Sequence, residues 1–220
     1  MSVKSHIDTL RATVPENIAL VAVSKFHPAE TVLEAYNDGQ RIFGESRVQE
    51  LTAKHETLPK DIEWHFIGSL QRNKVKFIAP FISLIHSMES ERLMREIEKQ
   101  GAANNRVIPC LLQMHIADEE TKSGFSMEEC RGFLADGAWR NCPHVQFRGV
   151  MGMATFTEDE AKIRSEFKRL KSFFDEIKTT YFADMPEFKE ISMGMSGDYR
   201  VAIEEGSTMI RVGTLIFGER

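Results

Sequence analysis

Short β-type runs alternate with amphipathic helical stretches along the whole chain, and this alternation restricts the fold more than any other feature. Candidate strands are 19–24, 41–43, 63–67, 84–86, 107–115, 147–151, 190–192 and 208–212. Helical patterns occupy 29–38, 47–58, 72–79, 90–103, 127–137, 158–181 and 199–205, with a short closing segment near Leu215. Strand-then-helix units joined by short connections call for parallel strands with right-handed crossovers, and eight of them close into a barrel. The expected fold is α/β, a single-domain (β/α)8 TIM barrel over 1–220, with an open doubly wound sheet as the second architecture. In 158–181 the apolar residues Ile163, Phe167, Leu170, Phe173, Phe174 and Ile177 recur at helical spacing, a stripe expected to face the core. The opening stretch 5–11 is expected to cover one end of the barrel.

A length of 220 residues with 42% hydrophobic composition is enough to bury a full core. The formal net charge of -5 leaves no broad basic surface to neutralise a phosphate backbone, so no nucleic-acid partner is expected. Cys110, Cys130 and Cys142 form no CxxC pair and are odd in number, which suits a reducing compartment. The first residues carry charges throughout and lack the apolar core of a signal peptide. No stretch approaches the roughly 18 apolar residues of a membrane helix. A cytoplasmic protein without a membrane partner is the expectation.

Chemistry is concentrated at the strand ends. Lys25 follows the apolar run 18–23 with only Ser24 between, and His27-Pro28 ends the extended segment. An amine at the end of a buried strand loses hydration, so its pKa falls and it becomes a nucleophile suited to a Schiff base with a sugar-like aldehyde or pyridoxal phosphate. A lysine whose stem runs over apolar surface to reach water is the ordinary alternative.

Two clusters of small residues follow strands seven and eight. Ser192-Met193-Gly194-Met195-Ser196-Gly197-Asp198 precedes a helix, and Arg211-Val212-Gly213-Thr214 leads into the short closing segment. Such turns let backbone N–H groups approach an anion, and barrels frequently build phosphate sites from these two loops. Either cluster alone could be turn chemistry and N-caps. Two cups with one lysine point to a phosphorylated aldehyde. Arg211 is expected inside the mouth as a permanent donor, with an ion pair to Glu45 or Glu219 as the structural alternative. The GxxxxGK[ST], GxGxxG and HExxH patterns are missing, as is any metal-spaced Cys/His set. Gly194-Met195-Ser196-Gly197-Asp198 departs from GxSxG at its last residue, so no acyl-enzyme is expected.

In order along the chain, Val21-Ala22-Val23-Ser24-Lys25, Phe43-Gly44-Glu45 with Val48-Gln49-Glu50, and Trp64-His65-Phe66-Ile67-Gly68 with Leu70-Gln71 and Asn73-Lys74 resemble the pyridoxal phosphate homeostasis protein family. Lys122-Ser123-Gly124, Gly149-Val150-Met151, Ser192-Met193-Gly194-Met195-Ser196 and Arg211-Val212-Gly213-Thr214 with Phe217-Gly218 continue the resemblance over nearly the whole chain. It implies a barrel similar to the N-terminal domain of alanine racemase, with pyridoxal 5'-phosphate held as an internal aldimine on Lys25. Ser192 or Ser196, Gly213 and Thr214 would hold the phosphate, and Arg211 would face the pyridine nitrogen. An arginine there keeps that nitrogen an unprotonated acceptor and weakens the cofactor as an electron sink.

Alanine racemase adds a β-rich domain whose tyrosine acts as acid/base across the dimer. This chain ends at Arg220, and its tyrosines Tyr36, Tyr181 and Tyr199 all fall in helical segments. The resemblance therefore implies a monomeric cofactor carrier acting in vitamin B6 balance, with apo pyridoxal phosphate enzymes as recipients, and no catalytic residues. Ser46 and His115 stand where the family usually has asparagine, so contacts around the ring hydroxyl are expected to differ.

The competing readings are a small amino-acid racemase, an aldolase using Lys25 with Glu45 or Lys74 as acid/base, and a scaffold protein. Lys74 and Lys122 follow strands three and five and could accept transferred cofactor, although a solvated cation accounts for either.

Overall fold

Strands buried on both faces need an apolar residue at nearly every position, and the runs found in the sequence meet that need by closing on one another. The computed structural model describes residues 2–118 and 123–219. Its strands are β1 (Ala19–Val23), β2 (Ile42–Glu45), β3 (Glu63–Phe66), β4 (Leu84–Met88), β5 (Ile108–His115), β6 (Val145–Met153), β7 (Glu190–Ser192) and β8 (Met209–Val212). They form a closed barrel in chain order, every pair parallel. β8 returns to β1 with Val21 opposite Arg211 and Ala22 opposite Val212, which rules out the open sheet.

Alternation along each strand divides the core in two. Val21, Leu84, Leu111, Met151 and Met209 form a cluster of their own. Leu20, Ala22, Phe43, Trp64 and Phe66 join the larger cluster that includes the helices. His65, His86, Gln113, Ser192 and Arg211 also stand on the strands and are buried, so the barrel carries polar groups in its core.

The outer layer consists of α1 (Val3–Arg11), α2 (Ala29–Asn37), α3 (Val48–Thr57), α4 (Val75–Ile78), α5 (Glu91–Ala103), α6 (Met127–Asp136), α7 (Glu160–Tyr181), α8 (Tyr199–Glu204) and α9 (Thr214–Phe217). All six apolar residues of the α7 stripe are buried. Starts and stops follow local chemistry: Ser126 and Glu129 make a capping box on α6, and Gly137 ends that helix at φ 74. The opening segment differs from expectation. α1 lies in the helical layer against α2 and α9, with Ile7 and Leu10 buried and His6 Nδ1 3.0 Å from the Ile216 carbonyl oxygen. The reason is that β8 is followed by only the four-residue α9, so an amphipathic helix is needed beside it. No helix among the described residues is long and apolar enough to cross a membrane.

Candidate functional site

β1 ends at Val23, one residue earlier than the sequence implies, and Ser24, Lys25 and Phe26 turn away from it. Lys25 is half-buried, between the desolvated amine and the solvent-reaching stem that the sequence left open. Its neighbours are held on both sides. Ser24 N–H donates to the Gly44 carbonyl at 3.1 Å and its hydroxyl donates to Glu45 Oε1 at 2.6 Å. Phe26, a non-glycine residue at φ 68, donates its N–H to Glu50 Oε1 at 2.6 Å. That left-handed conformation is uncommon for a bulky side chain and persists only where the surroundings hold it.

The holder is Lys54 of α3. Its ammonium donates to the Ser24 carbonyl at 2.8 Å, to Glu45 Oε1 at 2.6 Å and to Glu50 Oε1 at 2.8 Å. Burial pushes the Glu45 carboxyl above its usual range, and the Lys54 charge works against that push. Glu45 Oε2 is buried without a hydrogen-bond partner.

Arg211 lies on β8 with its side chain fully enclosed, as its place before the last cup led one to expect. Nη1 donates to Ser192 Oγ at 2.5 Å and Nη2 to the Gly152 carbonyl at 3.1 Å. Burial pulls its pKa down to about 10, and the charge of Asp198 opposes that pull. The ion pair considered for it does not form: Glu45 is bound by Lys54, and no salt bridge among the described residues includes Arg211. Beyond Ser192 the contacts continue to His86 Nδ1 at 3.0 Å, and from His86 Nε2 to His65 Nδ1 at 3.0 Å. Desolvation lowers both imidazoles, His65 to about 3 and His86 well below its ordinary value.

The two glycine-containing turns meet beside β1. Gly194 takes φ 98 and its carbonyl accepts the Arg211 N–H at 2.9 Å. A Cβ there would stand 2.6 Å from the Ala202 Cβ, so only glycine fits. Gly213 N–H donates to Ser196 Oγ at 3.3 Å, and a Cβ on Gly213 would lie 3.2 Å from the Val23 carbonyl oxygen. Ser196 and Thr214 both line a cavity of about 780 Å³ that also touches α1. The two serines left as alternatives are thus separated. Ser192 is enclosed and bound to Arg211 and His86, while Ser196 stands with Gly213 and Thr214.

Lys74 sits in a 3-10 turn (Arg72–Lys74) with its ammonium 5.6 Å from the Phe77 ring centroid. Lys122 lies outside the described residues. His115 is half-buried at the end of β5 and lines a cavity with Met114 and Ser123. Ser46 faces Gly68, where a Cβ would come within 2.3 Å of the Ser46 carbonyl oxygen. Sequence reasoning missed Lys54, Glu50 and the two histidines as parts of the site. A histidine inside an apolar strand, as in Trp64-His65-Phe66, was an available signal, and so was the i,i+4 pair Glu50 and Lys54.

A closed barrel with a lysine turn after β1, a buried arginine on β8 and two glycine-containing turns after β7 and β8 defines the class, and the comparisons agree. The family described as alanine racemase, N-terminal domain, matches residues 2–220. The pyridoxal phosphate homeostasis protein of Aquifex aeolicus is 41% identical over 212 residues, covering 96% of this chain and 91% of that protein. PipY of Synechococcus elongatus, solved with PLP bound, superposes with a TM-score of 0.88 at 34% identity, covering 99% of this chain and all of the other. Alanine racemase of Bartonella henselae, with covalently bound pyridoxal phosphate, gives a TM-score of 0.72 at 16% identity over 58% of its own chain, a likeness of fold. The chain belongs to the pyridoxal phosphate homeostasis protein family.

Proposed function

We propose that this chain is a single pyridoxal 5'-phosphate-binding barrel that holds the cofactor at Lys25 and supplies or buffers it inside the cell. The observation that carries the reading is the enclosed Arg211 guanidinium, which among the described residues hydrogen-bonds to neutral acceptors only, two residues before the Gly213 and Ser196 turn. A buried cation bound only by dipoles favours an anionic, acceptor-bearing ligand. Pyridoxal phosphate supplies, when bound, an aldehyde that condenses with a primary amine and a ring that absorbs visible light.

In this reading Lys25 would hold the cofactor through its ε-amine, and the Lys54 network would keep the turn around it from shifting. Ser196, Gly213 and Thr214 bind the phosphate with backbone and hydroxyl donors, as cups of this kind do. Arg211 would face the ring nitrogen, with Ser192 keeping the guanidinium in place. An arginine partner leaves that nitrogen unprotonated, which suits holding the cofactor better than carbanion chemistry. Glu45 and Lys74, the acid/base candidates of an aldolase, are respectively bound to Lys54 and set over Phe77. The protein is read as a cytoplasmic monomer with no catalytic residues, whose recipients are apo-enzymes that use the same cofactor.

The test is to load purified protein with pyridoxal phosphate, record its visible spectrum, reduce with borohydride and map tryptic peptides by mass. A pyridoxyl adduct on the Lys25 peptide, with the band lost in Lys25→Ala, is the expected result. An unmodified Lys25 peptide after loading overturns the reading. Turnover of D- or L-amino acids well above free cofactor would convert it to a racemase.

A further inference from the structure

The contacts behind Arg211 run in only one direction. A guanidinium donates and never accepts, so its 2.5 Å contact takes a lone pair of Ser192 Oγ. The Ser192 hydroxyl is fully buried, and its one other hydrogen-bond contact among the described residues is His86 Nδ1 at 3.0 Å. Unless the hydroxyl proton goes to that nitrogen it is left unpaired in a dry interior, at a cost proteins rarely accept. His86 Nδ1 is therefore bare and its proton sits on Nε2, facing His65 Nδ1 at 3.0 Å. His65 Nδ1 must accept, which puts its own proton on Nε2. His65 also lines a small cavity of about 240 Å³ with Ala19, Ile42 and Leu84, the opening residues of their strands, so the chain ends at the N-terminal end of the barrel. A second proton on either ring would set donor against donor.

We propose that His86 and His65 are positioning residues for Arg211: two uncharged imidazoles, each carrying its proton on Nε2, that direct the Ser192 lone pair at the guanidinium. This deepens the cofactor reading of the preceding subsection and rests on it for the role of Arg211. The tautomers do not depend on any ligand. The arrangement anchors Arg211 without a hydrogen-bonded carboxylate while removing the rotational freedom of the hydroxyl that holds it.

Two measurements test this. In protein labelled with 15N-histidine and free of cofactor, long-range 15N–1H spectra are expected to show two rings with a bare Nδ1 and a protonated Nε2, unchanged from about pH 8 to about pH 5, where ordinary histidines titrate. The His65→Gln and His86→Gln variants assign them. A proton on Nδ1 of either ring, or a charged ring in that range, overturns the proposal.

In the second measurement His86→Leu removes the acceptor for Ser192, while His86→Gln keeps an amide oxygen for it. His86→Leu is expected to bind pyridoxal phosphate about tenfold more weakly, the scale of one lost buried hydrogen bond, and to shift the pH dependence of the visible band. His86→Gln is expected to restore most of both. A purely structural role would lower the unfolding midpoint and leave the pH dependence of the band in place, which overturns the proposal. If wild-type protein takes no cofactor on Lys25, the functional reading falls and the nitrogen spectra still decide the tautomers. If His86→Leu does not fold, His86→Gln and those spectra decide it.

Discussion

The two flanks of the barrel mouth hold a cation in opposite ways. On the β1–β2 flank the Lys54 ammonium is met by Glu45, Glu50 and the Ser24 carbonyl, so its charge is spent inside the protein. On the β7–β8 flank the Arg211 guanidinium is met by a hydroxyl and a carbonyl, so its charge stays available. A compact ammonium with three donors suits the first arrangement, and a planar fork with five donors suits the second, since two contacts fix it without exhausting it. The difference is between a cation neutralised by carboxylates and one anchored by neutral acceptors. Lys54 braces the turn that carries Lys25, whereas Arg211 is itself braced, by Ser192 and the Gly152 carbonyl.

Removing charge on the first flank is expected to have the largest effect. Lys54→Met leaves Glu45 buried and uncompensated, which costs about 3–5 kcal/mol in urea unfolding, and the double change with Glu45→Leu should recover much of it. A cost no greater than that of Ser192→Ala would break the contrast.

Acid should act next, through the neutral histidines. Both have folded pKa values below the unfolded value of about 6.5, so the unfolded chain takes up protons first as pH falls. Their contribution is complete above that value and is lost below it, down through the folded values, at up to about 1.4 kcal/mol per pH unit for each ring. Glu45 and Asp198, raised by burial, work the other way, so the contribution of His65 is read as the difference between the unfolding curves of the parent and of His65→Leu across this range. His65→Leu should flatten the slope.

Ser192→Ala is expected to cost roughly 1–3 kcal/mol, because Arg211 keeps only the Gly152 carbonyl and His86 loses its donor. At the bottom of the scale is the exposed pair Arg131 and Glu176, 2.6 Å apart on α6 and α7. Arg131→Ala should leave the thermal midpoint unchanged, since solvent-screened pairs contribute little. A marked loss there would mean that surface charge rather than buried charge sets the stability of this barrel.

The sequence by itself determined the eight strands, the barrel and the family, and it marked the strand ends where candidate site residues stand. These are local matters: an apolar run, a glycine turn or a lysine two residues past a strand is legible from neighbours alone. Boundaries moved by a residue or two where hydrogen bonds to other strands decide them, as at Ser24, which lies outside β1 yet still donates to Gly44. What only the tertiary structure decided is who bonds to whom. Lys54 reads as an ordinary helix lysine until α3 folds over β2, and Ser192 and Ser196 are equivalent donors until one is enclosed beside Arg211 and the other set against Gly213. His86 meets Ser192 across 106 positions of sequence. Desolvation and hydrogen-bond direction depend on such distant partners, so no local pattern could have announced that one cation would be met by carboxylates and the other by neutral acceptors.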